Sequence, residues 1–452
     1  MTFIQAVVGE YLYPLTVAEV AASVTPSSLA YPPGHLLRYG ADPLGVADSQ
    51  AALQRALSTG QPAYIPEGTF KFLSAATYTG KVSIRGEGSK TTLRCDGSLL
   101  TVTSGSHSVV DNLTLENITA PWIITRNPAN WSANPAGTLQ QSNADGYQPT
   151  VNDNADYGNG SFYDTLTTEQ KTQNIGPTIV FTGNASNIEV SRIYGRFVRI
   201  DMLDTVYSSV HHCDIRGGKG VWGAINFDNA TNGLQSGVGN SASSNVVRFA
   251  SFNGIIFQNN DGPIAYGNRC ESCGESGIKP AGGGNRKCSR ALVVANRCIE
   301  NLYDGIDLVT SFPTNTTIEA SHKAIGNYCY RNGGDGINVD GKYNQVIDNI
   351  FERNGRFGIW CTGANATIQG NRLIDNNQER NPSFPEILGG GADGCYIVGN
   401  LIHLGAGANS AAIYYDKKGY IANNWAQGGK FFFGTKPNSR LENNRDDNGL
   451  QH

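Results

Sequence analysis

Between Ser251 and Thr362 one short pattern of apolar and polar positions recurs five times. It reads Asn253-Gly254-Ile255-Ile256-Phe257, Ser276-Gly277-Ile278-Lys279-Pro280, Asp304-Gly305-Ile306-Asp307-Leu308, Asp335-Gly336-Ile337-Asn338-Val339 and Phe357-Gly358-Ile359-Trp360-Cys361. The glycines are 23, 28, 31 and 22 residues apart, the spacing of a solenoid coil with loops of variable length. After each glycine come an apolar residue, a variable one and a second, mostly apolar one, the period-two signature of a strand with one buried face. A second column runs in phase: Asn268, Asn296, Asn327, Asn349, Asn371, Asn400, Asn423 and Asn443. Two columns at one period predict stacked coils, a parallel β-helix.

Coils in such a stack lie about 4.8 Å apart, so equivalent positions form ladders. Ile255, Ile278, Ile306, Ile337 and Ile359 should line the interior, while Ile256, Lys279, Asp307, Asn338 and Trp360 point outward as an external ladder. The asparagines are expected in the turns, where their amides satisfy backbone groups and tolerate left-handed conformations. The glycine column is expected to leave a bare outer strip where an extended ligand can approach the backbone.

The flanks are less regular. Thr16 and Glu19 form a capping box for a short helix that Pro26 ends, within an N-terminal arm of residues 1–36. A solenoid exposes the apolar cross-section of its first coil unless something covers it, and the helical run Ala51 to Leu57 is the natural lid. Coils should fill residues 37–445, interrupted by an inserted loop at 125–176, and residues 446–452 form a polar tail. Trp131, Tyr147, Tyr157, Phe162 and Tyr163 suit that loop either to glycan contact or to subunit contact.

Composition agrees with an all-β solenoid: 55 glycines, 2 methionines and 16% charged residues in 452 demand many turns and few amphipathic helices. A net charge of −4 gives no electrostatic case for nucleic acid or an anionic membrane as partner. No apolar run long enough to insert into a membrane exists, and the N-terminus lacks the build of a signal peptide. Cys270-x-x-Cys273, with Cys288 and Cys298 beyond, invites a metal reading. Cys270, Cys298 and Cys329 each follow a ladder asparagine by two residues, however, which makes them one stacked column of small buried hydrophobes, and no metal is predicted.

Charge concentrates on the middle coils, in Glu271, Glu275, Lys279, Asp304, Asp307, Asp335 and Asp340, with Tyr303 and Trp360 beside them. By strand parity Asp304 would face inward. An unpaired buried carboxylate is costly, so the chain is expected to bend at Gly305 and turn Asp304 out. Asp before Gly is also an ordinary turn residue, and Asp335 repeats the position. Asp307 stands where no turn demands a carboxylate; its purely structural explanation is a ladder salt bridge to Lys279.

The series Arg38-Tyr39-Gly40-Ala41-Asp42-Pro43-Leu44-Gly45-Val46-Ala47-Asp48-Ser49, a helix, then Tyr64-Ile65-Pro66-Glu67-Gly68-Thr69-Phe70 resembles the opening of the pectate-lyase-like superfamily of right-handed β-helices. That superfamily includes phage and prophage tailspikes, polysaccharide lyases, glycoside hydrolases and alginate epimerases. Glu275 on one coil and Asp304-x-x-Asp307 on the next resemble the carboxylate trio of tailspike endoglycosidases. The resemblance implies a right-handed parallel β-helix, a homotrimer, a place in a virion tail or among released proteins, and endo-acting hydrolysis of a bacterial surface polysaccharide. It casts Glu275, Asp304 and Asp307 together as the acid, base and supporting carboxylates, with Asp304 and Asp307 as the pair and Glu275 assisting; Lys279, Tyr303, Asp335, Asn338, Asp340, Trp360 and Asn226 are expected as glycan contacts around them.

Hydrolysis requires one protonated and one ionised carboxyl, and three residues of strand, about 10 Å less the bend, suit an inverting enzyme. It needs no cofactor. A lyase is the alternative, with Lys279, Tyr303 or His211 as base and a cation, calcium for instance, stabilising the enolate. A non-catalytic glycan-binding spike is a third reading. The Asp-Pro-His-Glu motif of alginate epimerases is absent, since Leu44-Gly45 follows Asp42-Pro43.

Overall fold

A computed structural model describes residues 13–117, 122–126, 139–143, 150–151 and 178–449, apart from 218–222, 230–236, 251, 283–286, 310–318, 379–382, 390–392, 406–410, 429, 433–438 and 448. Each regular coil contributes three short strands. Ile278–Ala281, Leu292–Val294 and Arg297–Ile299 make one coil, and Ile306–Leu308 opens the next. The first strand of each coil joins a 13-stranded sheet, and the other two join a 25-stranded sheet that wraps the remaining faces. Every pairing within these two sheets is parallel, which defines the right-handed parallel β-helix.

The isoleucine ladder forms as the period-two pattern requires. Ile255, Ile278, Ile306, Ile337 and Ile359 are fully buried and in register, and Ile225, Ile387 and Ile413 extend the column. Cys270, Cys298 and Cys329 stack in register against them as buried free thiols.

The glycine column has a different purpose from the bare strip expected of it. A Cβ on Gly305 would lie 2.6 Å from the carbonyl oxygen of Gly336 and 2.7 Å from Cys329 Sγ, and one on Gly277 would lie 2.8 Å from Gly305 O and 2.9 Å from Cys298 Sγ. The missing side chains therefore point inward, against the cysteine ladder and the next coil. Glycine is needed here to let coils close around the core, not to admit a ligand.

The asparagine ladder is present, with two corrections. Its last members are Asn424 and Asn444, not Asn423 and Asn443. The left-handed backbone also belongs to the residue before each ladder asparagine: Ala295, Asp348, Asn423 and Asn443 have φ between 54° and 57°. The asparagine itself keeps its side chain inside the corner. Asn349 Nδ2 donates to Ala324 O (3.0 Å) and Asn371 Oδ1 (2.9 Å), while its Oδ1 accepts from Asn327 N and Nδ2, both at 2.9 Å. In those two coils the corner residue is also Asn, so adjacent asparagines compete for the ladder position in the sequence. A second ladder, Asn301–Asn332–Asn354–Asn376, closed by Glu386, lines the other corner. It was legible in the sequence, since its first three members each precede a column glycine by four residues.

The Gln50–Ser58 helix buries Ala52, Leu53, Ala56 and Leu57 over the first coil as a lid. The Val17–Ala21 helix has the expected capping box, and its Glu19 reaches Arg38 Nε at 2.6 Å with both side chains fully buried. Within 125–176, read above as loop, the strands Leu139–Asn143 and Thr150–Val151 join Trp122–Arg126 in a small antiparallel sheet. The five aromatic residues singled out there lie outside the described residues.

Candidate active site

The outward ladder of the 13-stranded sheet runs Asp201, Asn226, Ile256, Lys279, and then Asp307, Asn338 and Trp360 across successive coils. It is not the open external surface expected. Asp307 and Ile256 are each 2% exposed and Asn226 1%. The polar side chains lie along the ladder and engage the coil above or below, so they offer little area to solvent.

Lys279 is the hub. Its Nζ lies 2.7 Å from Glu275 Oε1 and 3.0 Å from Asp307 Oδ2. Asn253 Nδ2 donates to the other oxygen of Glu275 (2.7 Å), and Asn338 Nδ2 donates to the other oxygen of Asp307 (3.0 Å). Burial alone would lower the Lys279 ammonium, but the charges of Asp307 and Glu275 outweigh it and hold it well above the usual lysine range. The ladder salt bridge offered above as the structural explanation of Asp307 therefore exists, within a four-coil network.

Asp304 is set differently. Gly305 and Ile306 both face the interior, so the alternation breaks at Gly305 as expected, yet Asp304 does not reach solvent: it is 1% exposed. Its Oδ1 accepts the backbone N–H of Asp335 at 2.7 Å, and Asp335 Oδ1 in turn accepts that of Phe357 at 3.2 Å. Asn253 does the same for Ser276, so this column of side chains caps the next coil, the turn role weighed for Asp304. A carboxyl is not required for that role. Oδ2 of Asp304 finds no hydrogen-bond partner among the described residues. Burial, then the negative charges of Asp335 and Asp307, push its carboxyl well above the ordinary range, which favours the protonated form.

The remaining candidates divide. Asp340 lies near enough to Asp307 to feel its charge; burial foremost raises its carboxyl to about 6. The Tyr303 phenol is raised by burial and then by Asp304. Trp360 stands one coil beyond Asn338 and packs on Arg356, which sequence reasoning missed. The guanidinium lies 5.2–5.5 Å from the rings of Trp360, Phe357 and Phe384, and Nε is 3.7 Å from Asp335. Its signal was present: in the five repeats a cation precedes the glycine by two positions only here. Asn226 is not part of this cluster. It lies two coils before Lys279, 3.4 Å from Asp201, whose carboxylate is held by Arg199.

Three-strand coils in parallel stack, with this buried acid–lysine network on the outer side of one sheet, define a right-handed parallel β-helix. The sequence profile of the Salmonella phage P22 tail-spike family matches residues 45–357, more than half of the chain, and the chain belongs to that family. Among solved structures it is similar to the Siphovirus 9NA tailspike receptor binding domain, with a TM-score of 0.60 and 18% identity over 85% of this chain and 73% of that one. The receptor-binding protein of bacteriophage Det7, a podoviral tailspike in a myovirus, matches with a TM-score of 0.56 and 20% identity over 85% and 72%. The Azotobacter vinelandii mannuronan C-5 epimerase AlgE6 A-module gives 0.56 and 15% over 91% and 98%. At these identities the likeness is one of fold.

Proposed function

We propose that this protein is an endo-acting depolymerase that hydrolyses glycosidic bonds in a bacterial surface polysaccharide, with Asp304 as general acid and Asp307 as the ionised partner. One observation carries the reading: two carboxyls three residues apart have opposite environments. Asp304 is desolvated beside other acids, which favours its protonated form, while Asp307 is ion-paired to Lys279 and hydrogen-bonded by Asn338. Glycoside hydrolysis needs that division of labour. Glu275 then acts by fixing Lys279. Membership of the tail-spike family supports a polysaccharide substrate and a place in a virion tail.

The lyase alternative is less well supported by the same contacts. An ammonium locked between two carboxylates is a poor base, and so is a buried phenol whose ionisation is suppressed by neighbouring acid. His211 sits in the 25-stranded sheet, not the sheet carrying the cluster.

Three copies side by side would cover Tyr266, Ile350, Tyr396, Leu401 and Trp425, which are 36–55% exposed on the 25-stranded sheet. Sedimentation giving a monomer at micromolar concentration would remove that assembly. The function is tested by incubation with a panel of capsular and O-antigen polysaccharides followed by product analysis. New reducing ends without ultraviolet-absorbing unsaturation, lost in Asp307→Asn, are expected. Unsaturated ends would reassign the reaction to elimination, and full activity in an Asp304/Asp307 double variant would remove this site.

A further inference from the structure

On the 25-stranded sheet, away from the acid–lysine network, one outward column runs Arg94, Glu116, Arg196, Arg216, Arg248 and Glu271 in register. Its middle is three arginines on consecutive coils with no acid between them. Arg196 and Arg216 are exposed and Arg248 partly so. The nearby acids do not balance them. Glu116 is shared by Arg94 at 3.2 Å and Arg196 at 3.7 Å, Glu271 is shared by Arg248 at 3.7 Å and Arg269 at 2.9 Å, and Asp214 lies 3.3 Å from Arg248. Five guanidiniums thus meet three carboxylates, a local surplus of positive charge on a chain whose net charge is −4. Arg216, at the centre, makes no ion pair or hydrogen bond among the described residues; its guanidinium lies 5.4 Å over the ring of Phe249, as that of Arg196 lies 5.3 Å over Phe197. Both phenylalanines stand at the left-handed corner that follows the column, with φ of 57° and 58°, where neighbouring coils carry Gly217, Ser272 or Glu300. A bulky side chain is an uncommon occupant of that backbone region. Here its ring holds a guanidinium in place. Like charges directly opposite on neighbouring strands also destabilise a sheet, so the column holds a repulsion that a bound anion would relieve.

We propose that this column is a non-catalytic binding site for an acidic polysaccharide, whose carboxylates are taken up by the planar forks of Arg196, Arg216 and Arg248. The column follows the solenoid axis with a step of about 4.8 Å, so it offers a linear polyanion a row of charges, not a single pocket. Tyr194, 48% exposed, leaves its strand two residues before Arg196 and on the same side, and provides a ring face on which a sugar can stack. The choice of a polysaccharide over another polyanion rests on the depolymerase reading; the charge surplus does not. No residue of the column takes part in the proposed hydrolysis, which is placed on the 13-stranded sheet. The exposed apolar positions assigned to packing between copies begin farther along this face, at Ile350, four coils beyond Arg248.

Calorimetric titration of the full chain with alginate, a polyuronate, tests the site, with dextran as the neutral control and double-stranded DNA as a polyanion of another class. Saturable binding of alginate that weakens with added salt is expected, and none of dextran. Arg216→Gln should weaken it about tenfold, the loss of one hydrogen-bonded charge, and an Arg196→Gln/Arg216→Gln double variant should abolish it, both with unchanged circular dichroism. Arg440→Gln, at an exposed arginine near the C-terminal end of the solenoid, should leave it unchanged. No saturable binding, binding unchanged in the double variant, or an equal loss in Arg440→Gln would overturn the proposal, and tighter binding of DNA than of alginate would overturn the choice of ligand. Alginate binding is read without turnover, so a failure of hydrolysis in the polysaccharide panel and a failure of this site are told apart.

Discussion

Replacing Asp304 with Asn should remove a pH-dependent cost to the fold while abolishing cleavage. The wild-type carboxyl is 1% exposed and raised above its ordinary range by burial and by Asp335 and Asp307. Below the ordinary carboxylate value, about 3.9, native and unfolded chains both hold the proton and there is no penalty. Above it the unfolded chain releases the proton and the native one keeps it, so wild-type stability falls as pH rises, until the native carboxyl also ionises. Each unit of elevation costs about 1.4 kcal/mol, a tenfold change in the folding equilibrium.

The amide is isosteric, can still accept from Asp335 N–H, and carries no such linkage. Its NH2 inherits the place of an oxygen without a hydrogen-bond partner, which costs about 1–3 kcal/mol whatever the pH. Comparing two pH values cancels that cost. Unfolding rates in guanidinium, followed by tryptophan fluorescence, should therefore show a lower variant-to-wild-type ratio at pH 7.5 than at pH 3.5. An identical ratio at both pH values would refute the protonated Asp304, and retained cleavage would refute its role as acid.

Three further outcomes follow from the contacts. Lys279→Met leaves Glu275 and Asp307 facing one another without their cation and should cost about 3–5 kcal/mol in denaturant unfolding, together with loss of cleavage; a neutral effect would mean the network is not needed for stability. Gly305→Ala places a methyl 2.6 Å from Gly336 O and 2.7 Å from Cys329 Sγ and should lower stability by about 1–3 kcal/mol or prevent soluble expression, whereas a well-folded variant with weakened glycan binding would restore the bare-strip explanation. Asn349→Ala removes four hydrogen bonds inside a corner and should cost about 3–6 kcal/mol by the same assay, against near-neutrality for Asp348→Asn at the adjacent left-handed position.

Periodicity is a property of the chain itself, and it carried the fold. A Gly-Ile-x-apolar repeat can bury its isoleucines only by stacking, so the coil register, the isoleucine column and the cysteine column were all readable before any coordinate. The Ala51 to Leu57 lid and the Glu19 capping box were equally local. The charged residues of the site could be chosen for the same reason, because Glu275, Lys279, Asp304 and Asp307 break the apolar pattern on consecutive coils. What they do to one another was decided in three dimensions. Strand parity gives the side from which a side chain leaves, but not whether it projects or lies along the ladder. Only the packed coils, about 4.8 Å apart, let Lys279 bridge two of them and leave Asp307 buried. The inward turn of the glycines has the same origin: it depends on how closely the opposite face approaches, and the cysteine column that sets that approach is 16 to 24 residues away in sequence. Asn423 and Asn443 show the limit at its smallest scale, since two adjacent asparagines look alike in a sequence, and the backbone φ alone separates the corner from the ladder.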